Sequence, residues 1–305
     1  MTFSKALADK DYETLRTMPK SDLHNHATRG GNIRDFFDDV DLPKRDFTNL
    51  DEMQQWYDAN IKYKFSGQEG FIARVESAFK QAQHDGIRRL ALSFGIGDSI
   101  HFASLEAYFM AIRQLHQTIA PEIDFIPELC LGRTSNIEPV QDMFDEVIEY
   151  DFFKSIDLVG DDRDSVANYK SIYRKAKSKG IILKAHLGEF GDAESVRKGV
   201  DVLELDEVQH GIAAATSIEV KNWLRTNDVQ LNICPSSNVM LNRVPSYEIH
   251  PIKELFHHGI KVTINSDDML IFDQSVTQDY INLFESGCMS ANDLNTVRET
   301  GLLLR

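Results

Sequence analysis

The sequence predicts a (β/α)8 barrel of the TIM type, with a helical lid inserted after the first strand. Eight short apolar runs recur along the 305 residues, helix-like stretches separate them, and histidine or aspartate lies at the end of four runs. Strands that alternate with helices favour parallel pairing through right-handed crossovers. In a closed barrel of this kind, the active site lies at the carboxyl ends of the strands.

The candidate strands are short and apolar, and the candidate helices show a 3.6-residue period. A doubly wound open sheet is the alternative, but no glycine-rich phosphate loop follows the first strand. The strands are predicted at residues 22–26, 90–94, 125–131, 155–159, 181–186, 207–210, 230–234 and 261–265. The helices are predicted at residues 70–83, 105–119, 140–150, 165–179, 193–203, 218–225, 252–257 and 276–284.

The longest connection runs from Thr28 to Gln68 and is rich in aromatic residues in its second half. A segment of this length and mixed helical character, placed after a strand, would cover the barrel mouth as a lid. The chain shows no internal repeat, low-complexity segment or linker. Residues 1–305 are therefore predicted to form a single domain.

Composition and charge argue against several classes of binding partner. The formal net charge of -15 argues against nucleic acid or an anionic membrane surface. No apolar run approaches the roughly 20 residues of a membrane span, and charges come too early for a secretory signal. Cys130, Cys234 and Cys288 are too few and too scattered for a disulfide framework. We expect a soluble cytoplasmic protein whose partner is a small molecule.

Titratable residues at the predicted strand ends indicate a metal site. Asp267 and Asp268 are neighbouring carboxylates, which repel each other and lose hydration unless a cation lies close by. His24 and His26, spaced i and i+2, face the same side of a strand, and His186 ends another. Alone, each histidine could be a core residue and Asp267 a helix cap. Together at strand ends, they favour a divalent transition metal.

Six segments of the chain resemble motifs of the adenosine deaminase family, within the metal-dependent amidohydrolases. They occur in the order and at the spacing of that family, over roughly residues 18 to 285. The family fold is the (β/α)8 barrel, which agrees with the predicted strands. The other zinc deaminase signature, H-x-E with a later P-C-x-x-C, is absent. The segments are residues 18–26, 186–189, 210–211, 234–238, 250–252 and 266–268.

The resemblance implies one zinc ion per chain, with His24, His26, His186 and Asp267 as its ligands. Three neutral nitrogens and one anion would leave an open position for water. Zinc can lower the pKa of that water from about 15.7 towards about 7. The resulting hydroxide would attack C6 of an aminopurine and release ammonia.

The resemblance also implies roles for four further residues. Glu189 resembles the acid that protonates purine N1, so burial should raise its pKa and keep it protonated. His210 resembles the residue that orients the attacking water. Asp268 resembles the carboxylate that contacts hydroxide and purine N7. Gly160 resembles a backbone N–H donor to the ring, although glycine at a strand end is also ordinary turn chemistry.

The sequence departs from the family pattern where ribose binds. Members that act on adenosine carry an acid two positions after the second histidine, and Thr28 stands there in this chain. The expected substrate is adenosine or a related compound: adenine, a modified adenosine or an adenine nucleotide. Arg29, beside Gly30 and Gly31, could contact a phosphate, or it could be a solvated loop charge.

Two other functions remain as alternatives. A different amidohydrolase reaction would commonly need two metals bridged by a lysine or glutamate on the fourth strand, but Lys154 stands at the start of that strand. A catalytically silent binding protein would be expected to lack a ligand or the proton donor, and every predicted position is filled. Ammonia release from aminopurines would separate an enzyme from a silent barrel. The sequence does not predict the oligomeric state.

Overall fold

Eight parallel strands form the centre of the computed structural model, which describes residues 1–45, 47–134 and 136–303. Neighbouring strands pair in sequence order, from the first to the eighth. Every ladder between them is parallel. The strands are β1 (Lys20–Asp22), β2 (Ile87–Phe94), β3 (Asp124–Gly132), β4 (Ser155–Val159), β5 (Ile182–Leu187), β6 (Glu207–His210), β7 (Gln230–Ile233) and β8 (Lys261–Ile264).

The sheet closes where the segments after β1 and β8 meet. The Leu23 N–H donates to Asn265 Oδ1 over 2.7 Å. The Asp267 N–H donates to the His24 carbonyl over 3.0 Å, and Asn25 forms a parallel bridge with Asp267. The predicted barrel is therefore confirmed, and the alternative prediction of a doubly wound open sheet is wrong.

Helices surround the barrel, and their buried faces pack on its strands. No helix in the described ranges is long and apolar enough to cross a membrane. The helices before α7 are α1 (Phe3–Ala8), α2 (Tyr12–Thr17), α3 (Leu50–Tyr57), α4 (Gly67–His84), α5 (Leu105–Ile119) and α6 (Glu138–Val147). They continue with α7 (Lys170–Ser178), α8 (Ala193–Leu203), α9 (Ile218–Thr226), α10 (Pro235–Met240), α11 (Ile252–His257), α12 (Met269–Phe272), α13 (Val276–Glu285) and α14 (Ala291–Leu302).

Most predicted bounds agree with the structure, but the first strand does not. β1 ends at Asp22, whereas the prediction placed a strand over residues 22–26. The chain nevertheless stays paired beyond β1, because His26 forms a parallel bridge with Ser93 of β2. The predicted helices 140–150 and 165–179 are also too long, since 3-10 turns replace parts of them at Ile148–Tyr150 and Ala167–Tyr169.

The segment between β1 and α4 covers the barrel mouth, as predicted for the lid. It contains α3 and a following π-helical turn, Asp58–Lys62. Met53, Tyr57 and Ile61 from this segment form an apolar cluster with Leu270 and Ile271 from α12. This cluster is distinct from the core between the barrel strands and the outer helices.

Buried ion pairs join β5 to β3 and β6 beneath the mouth. Lys184 Nζ lies 2.8 Å from Glu128 Oε2 and 3.5 Å from Glu207 Oε2. It also donates to the Leu23 carbonyl over 3.0 Å. A buried ammonium is tolerated only with such partners. The contact ties β5, two residues before His186, to the residue that precedes His24.

Candidate active site

Four potential metal ligands meet at the carboxyl ends of the strands. His24 Nε2 lies 3.2 Å from His186 Nε2 and 3.5 Å from Asp267 Oδ1. His26 Nε2 lies 3.3 Å from the same carboxylate oxygen. His24, His186 and Asp267 are buried, and His26 is partly buried. The structure brings together all four residues that the sequence predicted as ligands.

The surroundings of the two facing histidines show that this donor set suits a cation. His186 Nδ1 lies 3.2 Å from Asp157 Oδ1, and His24 Nδ1 lies 3.4 Å from the Asn232 carbonyl. Asp157 can only accept, so His186 carries its proton on Nδ1, and the same tautomer of His24 lets its Nδ1 donate to the Asn232 carbonyl, with the Cys234 sulfur 3.3 Å away. The two Nε2 lone pairs then face each other and repel, unless a cation lies between them. Three imidazole nitrogens and one carboxylate are a donor set that suits zinc and similar divalent metals.

The charge states of the four residues follow from burial and from one another. Burial lowers the pKa of His24 well below its ordinary value. Burial alone would raise the pKa of Asp267, but His24 and His26 outweigh it and hold that pKa well below its usual range. Burial likewise opposes charge on His26, but Asp268 and Asp267 raise its pKa to about 9. If His26 held a metal, that proton would have to leave.

Glu189 lies in the loop after β5, with its side chain buried beside His210. Its Oε2 is 3.5 Å from His210 Nε2. Burial, with the negative charges of Asp267 and Asp162, raises the pKa of Glu189 well above its ordinary value. Asp162 also accepts the backbone N–H of Glu189 over 2.9 Å and those of the next two residues. The loop therefore holds a carboxyl group with a raised pKa in a fixed place.

His210 ends β6 with a strained backbone and a defined tautomer. Its φ is 64°, and that of Asp267 is 59°, so both residues adopt the left-handed region that non-glycine residues rarely occupy. Asn238 Nδ2 donates to His210 Nδ1 over 3.2 Å. Burial lowers the pKa of His210 to about 3, which keeps the ring neutral. His210 therefore carries its proton on Nε2, the nitrogen that lies near Glu189.

Arg29 is bound inside the pocket, so its interpretation as a solvated loop charge was wrong. Arg29 Nη1 donates to Asp268 Oδ2 over 3.0 Å. Thr28 contacts the hydroxyl group of Tyr57, which lies 3.2 Å from the Thr28 carbonyl and 3.3 Å from Thr28 Oγ1. Gly160, with a φ of 109°, lies at the end of β4 on the wall of the same pocket.

The pocket has a volume of about 360 Å³ and extends from the histidines to α3 of the lid. Eight predicted site residues lie on its wall, and His24 lies beneath them in contact with His186. Asp51, Gln54 and Tyr57 of α3 close the other side. The eight are Thr28, His26, Gly160, His186, Glu189, His210, Asp267 and Asp268.

Several residues that hold the site were not given a role from the sequence. They are Asp157, which contacts His186, Asn238, which contacts His210, and Arg133, whose Nη2 donates to the His186 carbonyl over 2.6 Å. Asp157 could have been identified from the sequence, because it is a single carboxylate within the apolar run 155–159. Arg133 lies in a loop without any such signal.

Comparison with known proteins agrees with this geometry. The chain is 29% identical over 287 residues to a proposed adenosine/adenine deaminase of Treponema pallidum, covering 92% of this chain and 96% of that protein. An adenine deaminase from Arthrobacter aurescens has a similar structure, with a TM-score of 0.81, 20% identity and 93% coverage of both chains. An amidohydrolase from Burkholderia ambifaria, solved with bound zinc, has a TM-score of 0.75 at 16% identity, covering 99% of this chain and 88% of the other.

A (β/α)8 barrel with histidines and a carboxylate at its carboxyl-end mouth defines a hydrolase of the metal-dependent amidohydrolase type. Residues 143–302 match the family model described as adenosine deaminase. The chain belongs to the adenosine deaminase family. It is a hydrolase that acts on the C–N bond of a cyclic amidine and deaminates an aminopurine.

Proposed function

We propose that the deaminase uses one zinc ion per chain, held by His24, His26, His186 and Asp267. The observation that carries this proposal is the convergence of three Nε2 atoms and one carboxylate oxygen, at separations of 3.2 to 3.5 Å. When bound, zinc would supply Lewis acidity that lowers the pKa of water. Lys154 is exposed and paired with Asp151 at 3.2 Å, so it cannot bridge a second metal at the mouth.

Glu189 is proposed as the acid that delivers a proton to N1 of the purine. Its carboxyl group is buried, its raised pKa keeps it protonated, and it lines the pocket. A proton placed on N1 withdraws electrons from C6, which makes that carbon more open to attack by water. Proton transfer by a positioned side chain contributes roughly 10²–10⁴-fold to rate.

His210 and Asp268 are proposed to direct the attacking water. The neutral imidazole of His210 has its Nδ1 occupied by Asn238, so its Nε2 is the nitrogen available to a water molecule. Asp268 has one oxygen, Oδ2, bound to Arg29. Its other oxygen, Oδ1, is buried and has no hydrogen-bond partner among the described residues. That oxygen can accept a hydrogen bond from water and contact the N7 side of a purine. The backbone N–H of Gly160 can donate a hydrogen bond to the purine ring.

The contacts of Thr28 favour adenine over adenosine as substrate. Thr28 occupies the position of the ribose-binding acid, and both its hydroxyl and its carbonyl are held by Tyr57. The sugar end of the pocket therefore receives no carboxylate from this position. Arg29 already offsets the charge of Asp268, which disfavours a nucleotide phosphate at Arg29. The related Treponema pallidum protein is named for both adenosine and adenine, so both compounds are candidate substrates.

A screen of aminopurines would test the proposed function directly. The zinc-loaded protein is mixed in turn with adenine, adenosine, N6-substituted adenosines and AMP, and ultraviolet absorbance is followed together with ammonia release. We expect turnover with matching ammonia for at least one compound, and the highest kcat/KM for adenine. The variant His26→Ala, which lacks a proposed ligand, is the control. Absence of ammonia from every compound would favour the silent binding protein.

We also propose that residues 1–305 form one domain that works in the cytoplasm. Helix α14 packs against the barrel so closely that a Cβ on Gly301 would lie 2.0 Å from Ser21 Oγ of β1. Cys130, Cys234 and Cys288 are free thiols. Unpaired cysteines suit a reducing compartment.

A further inference from the structure

Arg29 joins the lid to a carboxylate of the site. Its side chain is only 21% exposed, and its Nη1 donates to Asp268 Oδ2 over 3.0 Å. Its Nη2 donates to Gln54 Oε1 over 2.6 Å. The guanidinium carbon also lies 4.3 Å from the centroid of the Tyr57 ring. Because Gln54 and Tyr57 both belong to α3, a single guanidinium connects Asp268 to the helix that covers the mouth.

The contact with Arg29 leaves one oxygen of Asp268 available. Oδ1 is buried and unpartnered within the described part of the chain, and Asp268 lines the pocket. Anchoring Oδ2 stops rotation of the carboxylate, so it also sets the direction of Oδ1. The guanidinium also offsets part of the negative charge that Asp268 adds beside Asp267. A planar fork can hold two acceptors at once, which an ammonium group cannot do with the same geometry.

Further contacts hold the partners of Arg29 in place. Tyr57 OH accepts from Arg74 Nη1 over 2.6 Å, and it donates to the Thr28 carbonyl over 3.2 Å. The Leu270 N–H donates to the Arg29 carbonyl over 2.7 Å, which fixes the backbone of Arg29 against α12. The guanidinium is therefore held from both sides, by α3 and by the segment after β8.

We propose that Arg29 is a positioning residue for deamination, which aims the free oxygen of Asp268 and couples that carboxylate to α3. This inference rests on the proposed role of Asp268 in directing the attacking water. In this role, Arg29 orients a carboxylate that acts in the reaction, and it does not bind a substrate phosphate. A positioning role predicts a loss in kcat, whereas a role in binding alone predicts a rise in KM with kcat retained.

The test compares Arg29→Met with a matched control, Arg34→Met. Arg34 lies in the same segment and also pairs with a carboxylate after β8, Asp273, over 2.6 Å. Its side chain is 52% exposed and lies outside the site pocket. With the best substrate of the screen, we expect kcat of Arg29→Met to fall roughly 10- to 100-fold, the effect of one lost charge-assisted hydrogen bond. Arg34→Met should keep kcat within about twofold, the usual size of a surface change.

Zinc content and two further variants distinguish a failure of the inference about Arg29 from a failure of the proposed role of Asp268. Zinc content should be unchanged in Arg29→Met, and Arg29→Lys should recover part of kcat because it restores the positive charge beside Asp268. Equal kcat in the Met variants of Arg29 and Arg34, or a change in KM alone, would overturn the inference. If Asp268→Asn also kept its kcat, the proposed role of Asp268 would be wrong as well. If Arg29→Met did not fold, a reduced kcat in folded, zinc-loaded Arg29→Lys would support the inference and an unchanged one would refute it.

Discussion

His24 Nε2 and His186 Nε2 face each other at 3.2 Å, although 162 residues separate them in the chain. Asp157 and the Asn232 carbonyl accept from the opposite nitrogens, so both lone pairs point at the same place. The affinity of such a site depends on these outer contacts as well as on the ligands, because they fix the ring orientation and the tautomer.

The first prediction concerns Asp157. In Asp157→Asn, the partner of His186 Nδ1 loses its charge, and we expect zinc affinity to fall roughly 10- to 100-fold. Competition with a chelator would measure the change, and elemental analysis should find one zinc per wild-type chain. Asp145→Asn, which changes an acid paired with Lys175 on the outer surface, is the matched control. Equal affinities in the two variants would contradict the prediction.

The second prediction concerns Glu189. In Glu189→Gln, we expect kcat to fall roughly 10²–10⁴-fold, because an amide cannot deliver a proton to purine N1. Zinc content should not change, since Glu189 is not among the proposed ligands. Glu194→Gln, at a partly exposed acid of α8 paired with Arg197, controls for the loss of one carboxylate. Turnover by Glu189→Gln within a few-fold of wild type would show that another group supplies the proton.

The third prediction concerns Thr28. In Thr28→Asp, we expect kcat/KM for adenosine to rise, by roughly 10- to 100-fold if the new carboxylate forms one charged hydrogen bond to ribose. The value for adenine should not rise, because adenine has no sugar. Thr28→Asn, which has the same size as the aspartate variant without its charge, is the control. If adenosine turnover stayed flat in folded Thr28→Asp, residues of the lid such as Asp51 would have to hold the sugar.

The fourth prediction concerns His250, a buried histidine that lies before α11. Burial lowers its pKa to about 3, and its Nδ1 accepts the Ile252 N–H over 3.1 Å. The unfolded chain, with a pKa of about 6.5, binds a proton between pH 6.5 and 3 that the folded protein does not bind. The stability from neutral His250 is therefore fully present above pH 6.5, and it is lost as pH falls towards 3.

Replacing His250 removes this pH dependence. Between pH 7.5 and 5.0, the free energy of unfolding should fall by about 2 kcal/mol more in wild type than in His250→Asn. The asparagine oxygen can still accept from the Ile252 N–H, so the local backbone contact is retained. Denaturant unfolding at both pH values measures the difference. Loss of metal at the lower pH should destabilise both proteins equally, so it cancels in the comparison. Parallel pH profiles would refute the assigned charge state of His250.

Much of the fold could be predicted because its signals are local. The predicted bounds of β4, β6, α5, α8 and α11 are those of the structure. Each of these elements has a clear period or a short apolar run, and its hydrogen bonds follow from that pattern. The error at β1 has a tertiary cause. The Leu23 N–H donates to the side chain of Asn265 and not to a backbone carbonyl, so the regular ladder is interrupted after Asp22.

The barrel and the four candidate ligands could be predicted from the sequence, because strand ends of a parallel barrel meet at one mouth. The groups that surround those ligands could not be predicted, because they come together only in the folded protein. Arg29 and Asp268 lie 239 residues apart, and no local pattern indicates that one guanidinium offsets that carboxylate. The raised pKa of Glu189 likewise depends on burial among acids that the chain brings together from distant segments. Hydrogen bonding and desolvation depend on distances in space, and those are set only when the barrel closes.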